Sequence, residues 1–275
     1  MLSVTSDYAT STGSPEPALR RIAAAGFTHV HWCHQWCTDF LYSASETAQI
    51  GRWLAEFGLR LCDVHASHGK EKGWCSPAEY ERQAGLELVR NRIRFAAELG
   101  GDVVIIHLPA VPENPADDPG FSARLHDSIE SLFPELAACG VRLAFENMIR
   151  DNFTHIGSLL AEYPADRVGL CYDSGHGNMN PGALASLDAL RERLIAVHLH
   201  DNDGQSDQHQ PPFFGTVDWP ALAGILAASS YRKPLSFEVA IRATGIADEG
   251  EFLALAYERA EKVAELVALA GDSRA

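Results

Sequence analysis

The chain has 275 residues, 46% of them hydrophobic, and its 22 basic against 37 acidic side chains give a formal charge of −15. A net-negative field of that size repels phosphate and disfavours nucleic acid or an anionic membrane as the main partner. No stretch approaches the ~18 apolar residues of a membrane span, and residues 1–12 hold no basic segment followed by an apolar run, so a soluble cytoplasmic protein is expected.

Short β-rich apolar runs alternate along the chain with stretches of helical period. In chain order, strand 2–6 precedes helix 16–25, strand 27–32 helix 45–57, strand 59–65 helix 77–99, and strand 103–108 helix 122–139. The second half continues with strand 141–146 and helix 156–163, strand 168–173 and helix 181–193, strand 194–200 and helix 219–228, and strand 235–239 and helix 249–270. The runs lack clean alternation, as in a parallel sheet covered on its outer face. Gly26, Gly58, Gly100 and Gly140 stand where helices end, and Ser76-Pro77 and Asp218-Trp219-Pro220 where helices begin. Eight strand–helix pairs without a linker or composition shift predict a single (β/α)8 TIM barrel spanning residues 1–275, with 109–120 as a barrel loop. The six cysteines, Cys33, Cys37, Cys62, Cys75, Cys139 and Cys171, form no Cys-x-x-Cys pair and read as reduced.

In such a barrel the chemistry lies at the C-terminal ends of the strands. Those ends read His65, His107, Glu146, Asp173, His200 and Glu238, with His176, Asp207 and His209 close behind in the loops. One histidine at a strand end is more often a hydrogen-bonded barrel residue than a ligand. Six consecutive strands ending in ligand-type residues point elsewhere, because converging carboxylates and imidazoles are costly to bury unless a cation lies between them. Oxygen and nitrogen donors without thiolate suit Mn2+, Zn2+ or Co2+. The set Glu146, Asp173, His200 and Glu238 is the expected metal site, with further sites open at His65, His107, His176, Asp207 and His209.

Phe145-Glu146-Asn147, Cys171-Tyr172-Asp173-Ser174-Gly175-His176, His198-Leu199-His200-Asp201-Asn202-Asp203, Asp207-Gln208-His209 and Phe237-Glu238 resemble the xylose-isomerase-like barrel superfamily over essentially the whole chain. That superfamily includes sugar epimerases and isomerases and also endonuclease IV. The resemblance implies one catalytic metal on Glu146, Asp173, His200 and Glu238, with Glu146 and Glu238 doubling as acid and base and His176 contacting substrate. The metal would stabilise an enediolate while a proton leaves and returns beside a carbonyl. Endonuclease IV adds ligands matching His65, His107, His176, Asp207 and His209 around three zinc ions, so a zinc-dependent phosphodiesterase is the alternative. Acidic loops at 112–118 and 201–203, with only Lys70, Lys72 and Arg150 as nearby cations, weigh against DNA.

Trp32, Trp36, Phe213 and Phe214 are candidate platforms for the apolar faces of a sugar. His31 and His34 are within reach of the pocket or structural. An arginine that ketohexose 3-epimerases carry six residues after the histidine matched to His200 is here Ser206, and a Gly-Glu-Gly turn of many relatives is replaced by Phe213-Phe214-Gly215. With no basic cluster at the mouth, the expected substrate is an unphosphorylated carbohydrate. A homo-oligomer is compatible with these readings, and nothing in the sequence requires one.

Overall fold

The computed structural model describes residues 1–69 and 71–272. It is the expected barrel: β1 (Leu2–Thr5), α1 (Glu16–Ala24), β2 (His29–Trp32), α2 (Ala44–Phe57), β3 (Arg60–His65), α3 (Glu79–Glu98), β4 (Val103–His107), α4 (Phe121–Cys139), β5 (Arg142–Glu146) and α5 (Phe153–Glu162). The chain continues through β6 (Val168–Asp173), α6 (Ser174–Asn178), α7 (Ala183–Leu190), β7 (Leu194–His198), α8 (Trp219–Ala228), β8 (Leu235–Phe237) and α9 (Glu249–Asp272). Among the described residues no helix is long and apolar enough to cross a membrane.

Local chemistry accounts for the punctuation. At the start of α2, the Ser43 hydroxyl accepts from the Glu46 amide while the Glu46 carboxylate accepts from the Ser43 amide. These reciprocal bonds satisfy donors that a helix start otherwise strands. Gly58 and Gly140 end α2 and α4 at φ +70° and +66°, backbone that a side chain would strain.

All strand pairings are parallel, in the order β8-β1-β2-β3-β4-β5-β6-β7. The barrel closes just beyond the strand ends, where the Leu199 amide donates to Ser236 O at 2.8 Å and the Glu238 amide to Leu199 O at 3.1 Å. Alternation along each strand then divides the residues. On β4, Val104 and Ile106 join the large apolar core beneath the helices, while Val103 and Ile105 join a small inner cluster with Ala144, Cys171, Ile195 and Ala196. The next inward positions after that apolar plug are His107, Glu146, Asp173 and His198, so a polar layer sits directly on top of it.

Three features differ from the sequence reading. β7 stops at His198 instead of residue 200, because the chain turns to pair Asp201 with Gln210 across the following loop. The helix expected over 181–193 ends at Leu190 and finishes as a 3-10 turn, Arg191–Arg193. The short helix α6 was not foreseen; the Asp173 carboxylate caps it by accepting the His176 amide at 2.7 Å.

Candidate metal centre

The C-terminal ends of β5, β6, β7 and β8 bring Glu146, Asp173, His198 and Glu238 together, each with a ligand-type atom within 4.8 Å of the others. His198 Nδ1 lies 2.8 Å from Glu238 Oε2, 3.0 Å from Glu146 Oε1 and 4.0 Å from Asp173 Oδ2. A second group, His65, His107 and Glu146, meets on the other side of Glu146, where the two Nε2 atoms are 3.1 Å apart and His107 Nε2 is 3.1 Å from Glu146 Oε2. A third contains His200, Asp207 and His209. His176 bridges toward it, with Nε2 3.5 Å from Asp207 Oδ2 and Nδ1 donating to Asn147 O at 2.8 Å.

The expected set named His200, whereas the structure brings His198 together with Glu146, Asp173 and Glu238 and groups His200 with Asp207 and His209. His200 Nε2 is 3.0 Å from Asp173 Oδ1, and its ring stacks on His209 at 4.2 Å. The physical reason is the early end of β7: 198 and 200 share an inward parity, but only 198 lies level with Glu146 and Asp173. His200 also depends on Gly175, where any β-carbon would overlap its imidazole.

The aromatic candidates divide. Trp36 flanks the second group, its ring 4.8 Å from that of His65 and 5.8 Å from that of His107. Trp32 is core instead: fully buried, it donates from Nε1 to the Tyr42 hydroxyl at 2.9 Å and packs on Phe95 at 5.2 Å. Phe213 and Phe214 turn away to the flanking helices, Phe213 toward Trp219 at 5.6 Å and Phe214 under the Arg259 guanidinium at 5.4 Å. His34 is structural, held by Gly13 O at 2.8 Å and Tyr42. Of the rim cations, Lys70 lies outside the described residues. Asp201 is a loop anchor, its carboxylate accepting from the Phe213 amide, the Val217 amide and Trp219 Nε1 at 2.9–3.0 Å.

The donors fit a divalent cation. Glu146 Oε2 and Asp207 Oδ1 are buried without a hydrogen-bond donor, and His200 Nδ1 and His198 Nε2 are likewise unpartnered. Stranding carboxylate oxygens away from water costs several kcal/mol per ion unless positive charge compensates. Here that charge comes from imidazolium. Burial pushes the Glu146 carboxyl up, but His198 and His107 outweigh it and hold the group well below the usual range. Burial acts likewise on Glu238 and is outweighed by His198 and His209. Burial would lower His176 and His209, yet Asp173 and Asp207 lift His176 to about 10, and Asp207 and Glu238 lift His209 to about 9. His65 is the opposite case: burial and His107 depress it to about 3, and with Nδ1 donating to Ala66 O its Nε2 lone pair faces Glu146. Neutral imidazole and ionised carboxylate are the forms that ligate metal.

A cavity of about 360 Å³ opens beside this centre, lined by Thr5, Asp7, Trp36, His209, Glu238 and Arg242. Sequence reasoning did not single out Asp7 or Arg242, which lie beyond the strand ends of β1 and β8 without any motif.

Residues 19–256 match the family model described as xylose isomerase-like TIM barrel. The chain belongs to that family. Every residue of the three groups falls inside the matched span. Within the curated proteins, the chain is 33% identical to protein y4fM of Sinorhizobium fredii, covering 94% of this chain and 91% of that one. It is 26% identical to protein MJ1311 of Methanocaldococcus jannaschii over 58% of each chain. Solved structures that share the barrel include a D-tagatose 3-epimerase-like protein (TM-score 0.80, 19% identity, 100% of this chain and 99% of that one). The 3-keto-D-glucoside 4-epimerase YcjR of E. coli aligns with TM-score 0.73 and 21% identity over 95% and 99% of the two chains.

Proposed function

We propose that this member of the xylose isomerase-like family is a divalent-metal-dependent sugar isomerase or epimerase. The observation that carries the reading is the position of two carboxylates, Glu146 from β5 and Glu238 from β8, closing on His198 Nδ1 at 3.0 and 2.8 Å beside a small polar cavity. The residues fitted to hold the ion are Glu146, Asp173, His198 and Glu238, and the ion would supply Lewis acidity toward a carbonyl oxygen.

The remaining chemistry belongs to the chain. Glu146 and Glu238 are both ionised, so either can take a proton from a carbon next to a carbonyl. Arriving from different strands, they face a substrate from two sides: the carboxylate that takes the proton can return it to the neighbouring carbon, which is isomerisation, whereas inversion at the same carbon requires the opposite carboxylate first to take a proton from solvent and then deliver it to the other face. His176, protonated and anchored to Asn147 O, is placed to donate to a substrate oxygen. Trp36 offers a ring and Thr5, Asp7 and Arg242 offer polar contacts in the same cavity. Its 360 Å³ lies at the low end of the ~300–1,000 Å³ typical of small-ligand sites, in keeping with a monosaccharide-sized carbohydrate. The sugar epimerases among the similar barrels support the same class.

A second reading, zinc-dependent phosphodiester hydrolysis, is favoured by one observation: the His65–His107–Glu146 and His200–Asp207–His209 groups flank the first and could hold more than one ion. The charge of −15 opposes it. The deciding experiment combines metal analysis of the purified protein with incubation in D2O with MnCl2 and a ketose panel headed by D-fructose and D-tagatose. Deuterium incorporation at a carbon beside the carbonyl supports proton transfer. No exchange on any sugar, together with incision of an abasic-site duplex, replaces the first reading with the second.

A further inference from the structure

Below the metal-type layer, the barrel floor contains a hydrogen-bonded chain that no step above uses. Asp63 on β3 and His31 on β2 are both fully buried, and His31 Nδ1 lies 2.6 Å from Asp63 Oδ1. The other ring nitrogen, Nε2, is 2.8 Å from the Sγ of buried Cys33. The second Asp63 oxygen accepts the Cys62 thiol at 3.4 Å. An imidazole bonded at both nitrogens has one ring orientation available. A carboxylate in the centre of a barrel is costly to desolvate, and an apolar pair of equal volume often serves stability as well or better. The core therefore gives no reason for this dyad.

The reason lies one layer up. A metal-ligating histidine usually donates its distal N–H to a carboxylate or carbonyl, which fixes the ring. His198 lacks that device: Nδ1 faces Glu146 and Glu238, while the buried Nε2 has no hydrogen-bond partner. Its ring is flanked by the buried Cys171 thiol, within 4.8 Å of a His198 ring nitrogen, and by the His31 ring, at 4.4 Å between centroids and 50° between planes. His31, His198 and Glu238 place one ligand-type atom each within 4.8 Å of the others.

Building on the metal reading above, we propose that Asp63 and His31 are positioning residues for the metal: the Asp63–His31 hydrogen bond locks the His31 ring, and that ring holds His198 and Glu238 in ligating geometry. Neither residue touches substrate. Cys33 is a secondary support, since the Asp63 bond alone fixes the ring plane.

The test is metal affinity, measured by calorimetric titration of metal-stripped protein with MnCl2, with the melting temperature of the metal-free form recorded in parallel. Asp63→Leu removes the acceptor at similar volume and is expected to weaken Mn2+ binding on the order of 10–100-fold. Asp63→Asn keeps an acceptor for His31 Nδ1–H and is expected to stay within ~3-fold of wild type, a rescue that a general packing defect would not produce. A folded Asp63→Leu protein with wild-type affinity overturns the inference while leaving the metal reading intact. Wild-type protein that binds no Mn2+ overturns both. Should Asp63→Leu fail to fold, nitrogen-detected histidine NMR of the wild type during a ZnCl2 titration serves instead. The His31 and His198 ring signals should shift together, and a His31 signal unmoved while His198 shifts overturns the coupling.

Discussion

The imidazoles of His200 and His209 lie face to face, 4.2 Å apart and within 3° of parallel, with Asp207 bonded to His209 at 3.1 Å. This stack ties the end of β7 to its long loop and separates His200 from the ring two residues earlier. His198→Ala should therefore cost divalent-metal affinity more than His200→Ala. Loss of an outer partner typically costs ~10–100-fold, so removing the first-named ligand should exceed ~100-fold, while His200→Ala stays within that outer-partner range. Titration of both variants with MnCl2 checks the order; equal losses would restore 200 as the fourth ligand.

The two glutamates make a kinetic prediction. Glu146→Gln and Glu238→Gln preserve shape and remove the basic oxygen, and positioned acid–base groups contribute ~10²–10⁴-fold to rate. Each variant should lose at least ~100-fold in the rate of substrate deuterium exchange at saturating Mn2+. Both carboxylates also belong to the ion's set, so affinity is measured separately and exchange is compared at full occupancy. Near-native exchange in both variants would remove the two-carboxylate mechanism.

Much of this arrangement was readable from residue order. Covered parallel strands leave continuous apolar runs, so the barrel is written directly into segments such as Val103–His107. That Glu146, Asp173 and Glu238 converge at one end of the barrel followed from asking which residue closes each run. The same question failed at β7 because the run Leu-Ile-Ala-Val-His-Leu-His stays apolar two residues past the last ladder pair, and only the pairing of Asp201 with Gln210 ends the strand earlier. Trp32 and Trp36 illustrate a second limit: they are four apart, one ending β2 and one in the loop after it, and tertiary packing sends one into Phe95 and Tyr42 and the other onto His65. The His31–Asp63 bond joins residues 32 apart, a distance at which no local pattern carries information.

Asp201 provides a test of the loop that carries Asp207 and His209. Its carboxylate takes four donors, the Asn202, Phe213 and Val217 amides and the Trp219 indole, which Asp201→Ala would strand. An orphaned buried donor costs ~1–3 kcal/mol, so the variant should lose at least ~3 kcal/mol of unfolding free energy. Urea denaturation measures the loss, and hydrogen exchange should localise the opening to residues 201–217. A loss below ~1 kcal/mol would mean that the loop is held elsewhere.

A last prediction concerns pH and a histidine remote from the metal-type residues. His34 is buried with Nε2 on Gly13 O at 2.8 Å, and burial lowers its pKa from the ordinary 6.5 despite that carbonyl. The folded protein thus binds this proton less readily than the unfolded chain. The sign follows: the stability tied to neutral His34 is fully present above pH 6.5 and is lost as pH falls below it, with a limiting slope of ~1.4 kcal/mol per pH unit. The site histidines raised by their carboxylates act in the opposite sense, so the comparison needed is a difference. In His34→Gln, which keeps a donor for Gly13 O but cannot titrate, the stability gap to wild type should be constant from pH 8 to about 7 and shrink between about 6.5 and 5. Chemical denaturation of both proteins across that range checks it, and a gap that widens on acidification would show that folded His34 holds its proton.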